Sequence, residues 1–217
     1  MEEIFGKFDD FEYRERKPLN SLVENIGINN APFVVSPTII NKRVTHPAYS
    51  VWCNMLKRSY SKVYKEKNPT YLEVTCCEDW LLFTNFAKWF KDNYIKDCQL
   101  DKDLLCKDNK IYSPKTCLFI PREINTFLTL HGKDRGSYPL GVSKEYNKYK
   151  ASISRASISD GGIPSNYLGL FITKEEAHQA WQKAKLEQAI AFNFPPLQRV
   201  IDQLTFEIEN NLETTSL

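Results

Sequence analysis

The chain has 217 residues, of which 42% are apolar and 13% aromatic, and a formal net charge of +2. That much apolar side chain can fill a core in one or two domains, which excludes a disordered chain. No run approaches the roughly 20 apolar residues of a membrane span. The start Met1-Glu2-Glu3 is acidic where a secretory signal would be basic, so the expected compartment is the cytoplasm, with no membrane partner.

Residues 1–45 read as an N-terminal arm followed by an irregular segment. Phe5, Phe8, Phe11 and Tyr13 are candidate anchors, Pro18 and Asn20 break any helix, and Gly27, Pro32 and Pro37 interrupt the short β-branched runs that follow. A helix is predicted to begin after Thr45-His46-Pro47, with Pro47 in its first turn and Tyr49, Trp52, Cys53, Leu56 and Tyr60 at helical spacing. Between Lys57 and Lys67 five bases (Lys57, Arg58, Lys62, Lys65, Lys67) stand against Glu66 alone. Such a patch attracts phosphate by releasing counterions, with Lys57, Arg58 and Lys62 as candidate DNA contacts; the plainer alternative is a solvated helix face. A second helix is predicted from Cys77 to about Tyr94, with Trp80, Phe83, Phe86, Ala87 and Phe90 as a buried stripe. All six cysteines precede residue 118 and none forms a Cys-x-x-Cys pair. In a reducing compartment they are core residues or metal ligands before they are disulfides.

A strand through Gln99–Leu105, a turn at 107–110, a strand at Cys117–Pro121 and a helix from about Pro121 complete this region. Asp101 and Asp103, two apart, would share one face of the first strand and could hold Mg²⁺ through oxygen. The alternative is that they pair with Lys102, Lys107 or the basic helix. The stretch from Gly27 to Leu130, with Tyr49-x-x-Trp52, Cys77-x-x-Trp80, Leu100-Asp-Lys-Asp-Leu-Leu, Asn109-Lys-x-Tyr-Ser-Pro and Phe119-Ile-Pro-x-x-Ile-Asn125, resembles bacteriophage-encoded HNH-type homing endonuclease relatives. The resemblance implies a ββα site that holds one divalent ion, with a histidine on the first strand to activate water. None of His46, His131 and His178 falls on that strand, so the implied catalytic set is Asp101, Asp103 and Asn125, with Mg²⁺ on the two aspartates. A carboxylate with its ordinary pKa near 4 is a weak base unless burial raises it. A degenerate HNH frame retained for binding is the other reading. Related phage sequences carry cysteines at positions matching His46 and Ser59 and near Cys77 and Cys117. Ser59 interrupts that tetrahedral set, so structural zinc is not expected.

Farther on, alternation puts Tyr149, Ala151 and Ile153 on one face of a strand and Lys150, Ser152 and Ser154 on the other. Thr173 with Glu176 spells a capping box, and Ala177, Ala180, Trp181 and Ala184 make a close-packing helix face. This order, from Tyr138-Pro-Leu-Gly-Val142 through Tyr167-Leu-Gly-Leu-Phe171 to Thr173-Lys-Glu-Glu-Ala177, resembles the Apetala-type (ethylene-response-factor) DNA-binding domain. The resemblance implies a three-stranded sheet backed by a helix, its exposed face in the DNA major groove. The implied contacts are Lys144, Lys148, Lys150, Ser152, Ser154, Arg155 and Tyr167. Ser143, Glu145 and Ser154 stand where the plant relatives carry arginines. Because lysine contacts mostly position a protein on phosphate, such a face favours affinity over base discrimination. Residues 136–185 hold seven bases and four acids, a net of +3. After Pro195-Pro196, the residues Leu197, Val200, Ile201, Leu204 and Ile208 form an amphipathic stripe that is expected to dock on its own chain.

The expected architecture is therefore α+β. An arm and irregular segment (1–45) lead into a degenerate HNH-like ββα domain with flanking helices (46–135). A three-stranded antiparallel sheet packed on one helix (136–194) and a C-terminal amphipathic helix and tail (195–217) follow. The expected function is binding of double-stranded DNA by a phage or mobile-element protein, with metal-dependent DNA cleavage if the ββα site is active. The alternative is an inactive HNH-derived regulator or interaction protein acting on a host factor.

Overall fold

Proline at the first helical position and aromatic residues at helical spacing shape the N-terminal half of the molecule. The computed structural model describes residues 1–8, 11–129, 137–153 and 167–214 and contains two units, Met1–Phe119 and Ile120–Leu217. The class is α+β with small sheets. Among the described residues no helix is long and apolar enough to cross a membrane.

In the first unit the arm is anchored as its aromatic residues suggest. A short helix, α1 (Glu2–Phe5), sets Phe5 against Phe33 with ring centroids 5.2 Å apart, and Phe8 and Phe11 meet the ring of His46 edge-on. The segment expected to be irregular instead contains two hairpins, β1 (Ser21–Val23) with β2 (Gly27–Asn29), and β3 (Thr38–Ile39) with β4 (Lys42–Arg43). Gly27 lies so close to the next helix that a Cβ there would fall 2.2 Å from Leu56 Cδ1. That helix, α2 (Pro47–Tyr60), starts with Pro47 in its first turn, where the missing N–H costs nothing; α3 (Lys62–Lys67) follows.

The single helix predicted over 77–94 is divided. After β5 (Thr75–Cys76), a 3₁₀ turn occupies Glu78–Leu81, Leu82 is extended, and α4 spans Phe83–Asn93. Distant partners cause the break. Leu82 forms a parallel bridge with Ile28, the Asn30 Oδ1 accepts the Thr84 backbone N–H at 3.0 Å, and the Trp80 carbonyl accepts the Trp52 Nε1–H at 2.7 Å. These bonds satisfy groups that a continuous helix would pair internally. The aromatic stripe is nevertheless core: Trp52, Trp80, Phe83, Phe86 and Phe90 are fully buried, and each phenyl ring contributes roughly 1.5–3 kcal/mol of burial.

Next come β6 (Cys98–Asp101), β7 (Ile111–Tyr112) and β8 (Leu118–Pro121), then α5 (Arg122–Leu128). β6 pairs with β8, while β7 runs parallel to β5. Two strands and a helix thus follow in the expected order, but the first strand ends at Asp101 and does not continue to Leu105.

The second unit contains the sheet. β9 (Val142–Glu145), β10 (Lys148–Ser152) and β11 (Tyr167–Phe171) form an antiparallel layer in the order β11-β10-β9. α6 (Lys174–Ala191) begins with the full capping box, Thr173 accepting the Glu176 N–H and Glu176 accepting the Thr173 N–H, each at 3.2 Å. Its Ala177, Trp181 and Ala184 are buried, and Trp181 and Ala184 pack with Leu140, Ile153 and Leu168. Gly141 has φ +75° and sits against the indole, where a Cβ would fall 1.9 Å from Trp181 Cδ1, so both backbone and packing demand glycine. α7 (Gln198–Glu209) docks on α6 as its stripe suggests, burying Val200 and Leu204.

Candidate nucleic-acid interface

Cross-strand register settles which side chains share a face, because directly paired residues project to the same side of a sheet. Lys148 pairs with Glu145, Lys150 with Ser143 and Leu170, and Ser152 with Tyr167. These residues form the side turned away from Ala151, which is fully buried in the strand that packs on α6. A bulge between Ala151 and Ser152 brings Tyr167 opposite Ser152. Lys148 is exposed, and Tyr167 retains half of its surface. Lys150 Nζ lies 5.8 Å from the Tyr167 ring centroid and 3.3 Å from a Glu145 carboxylate oxygen. Glu145 therefore neutralises part of the face on which Lys150 lies, and Lys148 sits at the same end of the sheet.

Lys144 does not join this set. It pairs with Tyr149 and so projects to the helix side of the layer, opposite Lys150. Ser154 and Arg155 lie outside the described residues, as does His131. The outer face also has an apolar component, since Leu170 is 41% exposed beside Lys150.

The basic run in α2 and α3 is less of a patch than its sequence suggests. Lys57, Lys62 and Lys67 are exposed, but Lys65 Nζ donates to the carbonyls of Leu72 and Val74 at 3.0 and 3.1 Å. Arg58 is partly buried. Burial opposes its charge, but the Tyr112 hydroxyl, with Tyr71 and Tyr64 close by, holds its pKa above the ordinary arginine range.

The two aspartates have local structural roles. Asp101 Oδ1 accepts the backbone N–H groups of Asp103 and Leu104 at 3.0 and 2.7 Å, closing the turn at the end of β6. Burial raises its carboxyl above the ordinary range, against the pull of the Leu104 N–H. Asp103 lies beyond the strand and pairs with Lys102 at 2.5 Å, while Lys102 Nζ also donates to the Asn109 carbonyl at 2.8 Å. The expectation that both carboxylates line one strand face is thus corrected: the chain turns after Asp101, and Asp103 follows the pairing alternative. Asn125 is partly buried in α5, and its carbonyl accepts both the N–H and the hydroxyl of Thr129.

His46 sits among Phe8, Phe11, Tyr13, Phe33 and Phe83. The Tyr13 hydroxyl donates to the Gly6 carbonyl at 2.7 Å, so it receives the proton of His46 Nε2 at 2.9 Å. His46 Nδ1 and Ser59 Oγ are buried without hydrogen-bond partners. Cys76 and Cys117 are buried, and burial raises both thiols, Cys76 to about 11 and Cys117 to about 12, which disfavours thiolate. Among the described residues no three His, Cys, Asp or Glu side chains converge as metal ligands would.

Two buried polar residues carried no sequence signal beyond helical position. His178 Nδ1 lies 2.9 Å from the Leu140 carbonyl, and its Nε2 accepts the Thr214 N–H at 3.0 Å, which fixes the neutral tautomer protonated on Nδ1. Lys185 Nζ donates to the Phe127 carbonyl at 2.6 Å, 3.8 Å from that residue's ring centroid, and burial lowers its pKa to about 8.

Comparison of the chain with protein-family models, with curated proteins and with solved structures finds no match.

Proposed function

We propose that the protein binds double-stranded DNA through the outer face of β9–β11, and that its ββα region is a non-catalytic frame. The observation that carries the proposal is the register that gathers Lys148, Lys150, Ser152 and Tyr167 on the side of the sheet away from α6. Lysines there supply phosphate contacts that are independent of sequence, and Tyr167 with Leu170 supplies flat and apolar surface for the groove. Lys57 and Lys62 are candidate secondary contacts. A phage or mobile-element origin rests on the HNH-type and Apetala-type resemblances alone.

The frame reading is favoured over cleavage by the bonds of Asp101 and Asp103. Asp101 Oδ1 already closes the turn after β6, Asp103 Oδ1 pairs with Lys102, and Asp103 lies beyond the strand that would have aligned the two carboxylates about one ion. Incubating pure protein with supercoiled plasmid and Mg²⁺ or Mn²⁺ separates the two. The frame reading expects no nicking, whereas nicking that disappears in the Asp101→Ala/Asp103→Ala double variant establishes the nuclease. Binding to a labelled duplex, measured in parallel, should weaken on Lys148→Glu/Lys150→Glu with the fold retained.

A further inference from the structure

A groove of about 780 Å³ opens on the first unit, walled by the N-terminal arm and the chain around Pro32. Ile4, Phe5, Pro18 and Pro32 supply apolar surface, and Ile4 keeps half of its area exposed. Arg16, Lys17 and Lys88 also line it, against one acid, Glu15. Among the described residues none of these four side chains forms an ion pair. The Arg16 Nε–H is buried with no acceptor. Arg16 as a whole is only partly buried, and the natural complement of a guanidinium edge whose Nε–H lacks an acceptor is a carboxylate that takes Nε and a terminal nitrogen side by side.

The backbone beside the groove has a matching feature. Glu15 bridges Phe33 in antiparallel fashion, through Arg16 N–H to the Pro32 carbonyl and Val34 N–H to the Arg14 carbonyl, both 2.9 Å. In that pattern the N–H and C=O of Glu15 itself face away from Phe33. The segment thus presents an edge of the kind extended peptides join.

We infer that this groove binds an extended acidic peptide segment of a partner protein, with aliphatic side chains alternating with carboxylates. Alternate residues of an added strand point to opposite sides. One set would lie on Ile4, Phe5, Pro18 and Pro32, and the other would reach Arg16, Lys17 and Lys88. A nucleic-acid backbone suits the site less well, because it has carriers for the cations but nothing for the apolar wall.

The test uses the whole chain and a short fluorescein-labelled peptide alternating leucine with aspartate, beside the same peptide with asparagine. The aspartate peptide is expected to bind at least about ten-fold tighter, and Arg16→Gln and Lys88→Glu are each expected to weaken it by roughly that factor. Amide shifts in the nuclear magnetic resonance spectrum should move at residues 14–17 and at 30 and 31. Equal binding of the two peptides overturns the inference, as does unchanged affinity in both variants with their folds intact. Duplex DNA that moves the same amides and displaces the peptide overturns it in favour of a nucleic-acid surface. Because the sheet residues are untouched in these variants, their outcome is separate from that of Lys148 and Lys150.

Discussion

Arg58, Lys65 and Lys102 in the first unit are held by a phenol, by backbone carbonyls or by an adjacent carboxylate, whereas Lys148 in the second stands exposed on a sheet face with Lys150 beside it. The element that carries each cation makes the difference. A long side chain on a helix can reach carbonyls of the chain that follows the helix, as Lys65 does with Leu72 and Val74. A strand within a covered sheet sends alternate residues to a side where no backbone acceptor is left. Density of basic residues along a sequence is therefore a poorer guide to which cations stand exposed together than alternation in a strand with one face buried.

Cores of different size should break in different ways. Phe86 is fully buried and touches Trp80, Trp89 and Phe90, so Phe86→Ala should cost about 3–5 kcal/mol in chemical denaturation. In the second unit Gly141→Val adds both a forbidden φ and a collision with Trp181, and roughly 3 kcal/mol is expected. DNA binding below the unfolding transition should survive Phe86→Ala and fail in Gly141→Val. The reverse pattern would move the interface to the first unit.

The buried bases sharpen the contrast further. Burial lowers His46 to about 4, so the unfolded chain takes up a proton below pH 6.5 that the folded chain refuses. Stability is therefore expected to fall as pH drops from about 6.5 to about 4, by roughly 3 kcal/mol in all. Lys185, lowered to about 8, works at the other end. Between about pH 8 and 10.5 the unfolded chain holds the extra proton, and stability should rise with pH. Denaturation midpoints across pH check both, and His46→Gln should flatten the acid limb alone.

A smaller effect distinguishes a turn-closing carboxylate from a catalytic one. Asp101→Ala should cost about 1–3 kcal/mol, because two backbone N–H groups lose their acceptor. Asp101→Asn keeps an acceptor oxygen and removes a buried charge, so its stability should match or exceed that of the parent at neutral pH.

What the sequence discloses follows from the range of the interactions involved. Thr173 and Glu176 are three residues apart and meet in the capping box that their spacing suggests. The alternation around Tyr149–Ile153 reappears in the sheet, with Ala151 and Ile153 buried, and the α7 stripe docks on α6. The break at Leu82 was not legible, because it depends on Ile28 and on Asn30, which is 54 positions from Thr84. Helical periodicity continues through such a break, since the stripe itself is buried on both sides of it. The side to which Lys144 projects is not legible for a related reason. Its charge sits among the strand lysines, but register with Tyr149, fixed by the turn at Tyr146, sends it to the other side. His178 is bonded to two backbone groups from distant segments, which no local pattern marks.

The most direct test is fluorescence anisotropy of a labelled duplex titrated with the protein over a range of salt concentrations, for the parent and for Lys148→Glu. The parent should bind with an affinity that falls steeply as salt rises. Lys148→Glu should lower that affinity about ten-fold at low salt and reduce the number of phosphates neutralised by about one. Identical affinity and salt slope in the two proteins, with equal thermal stability, would contradict a DNA interface on this sheet.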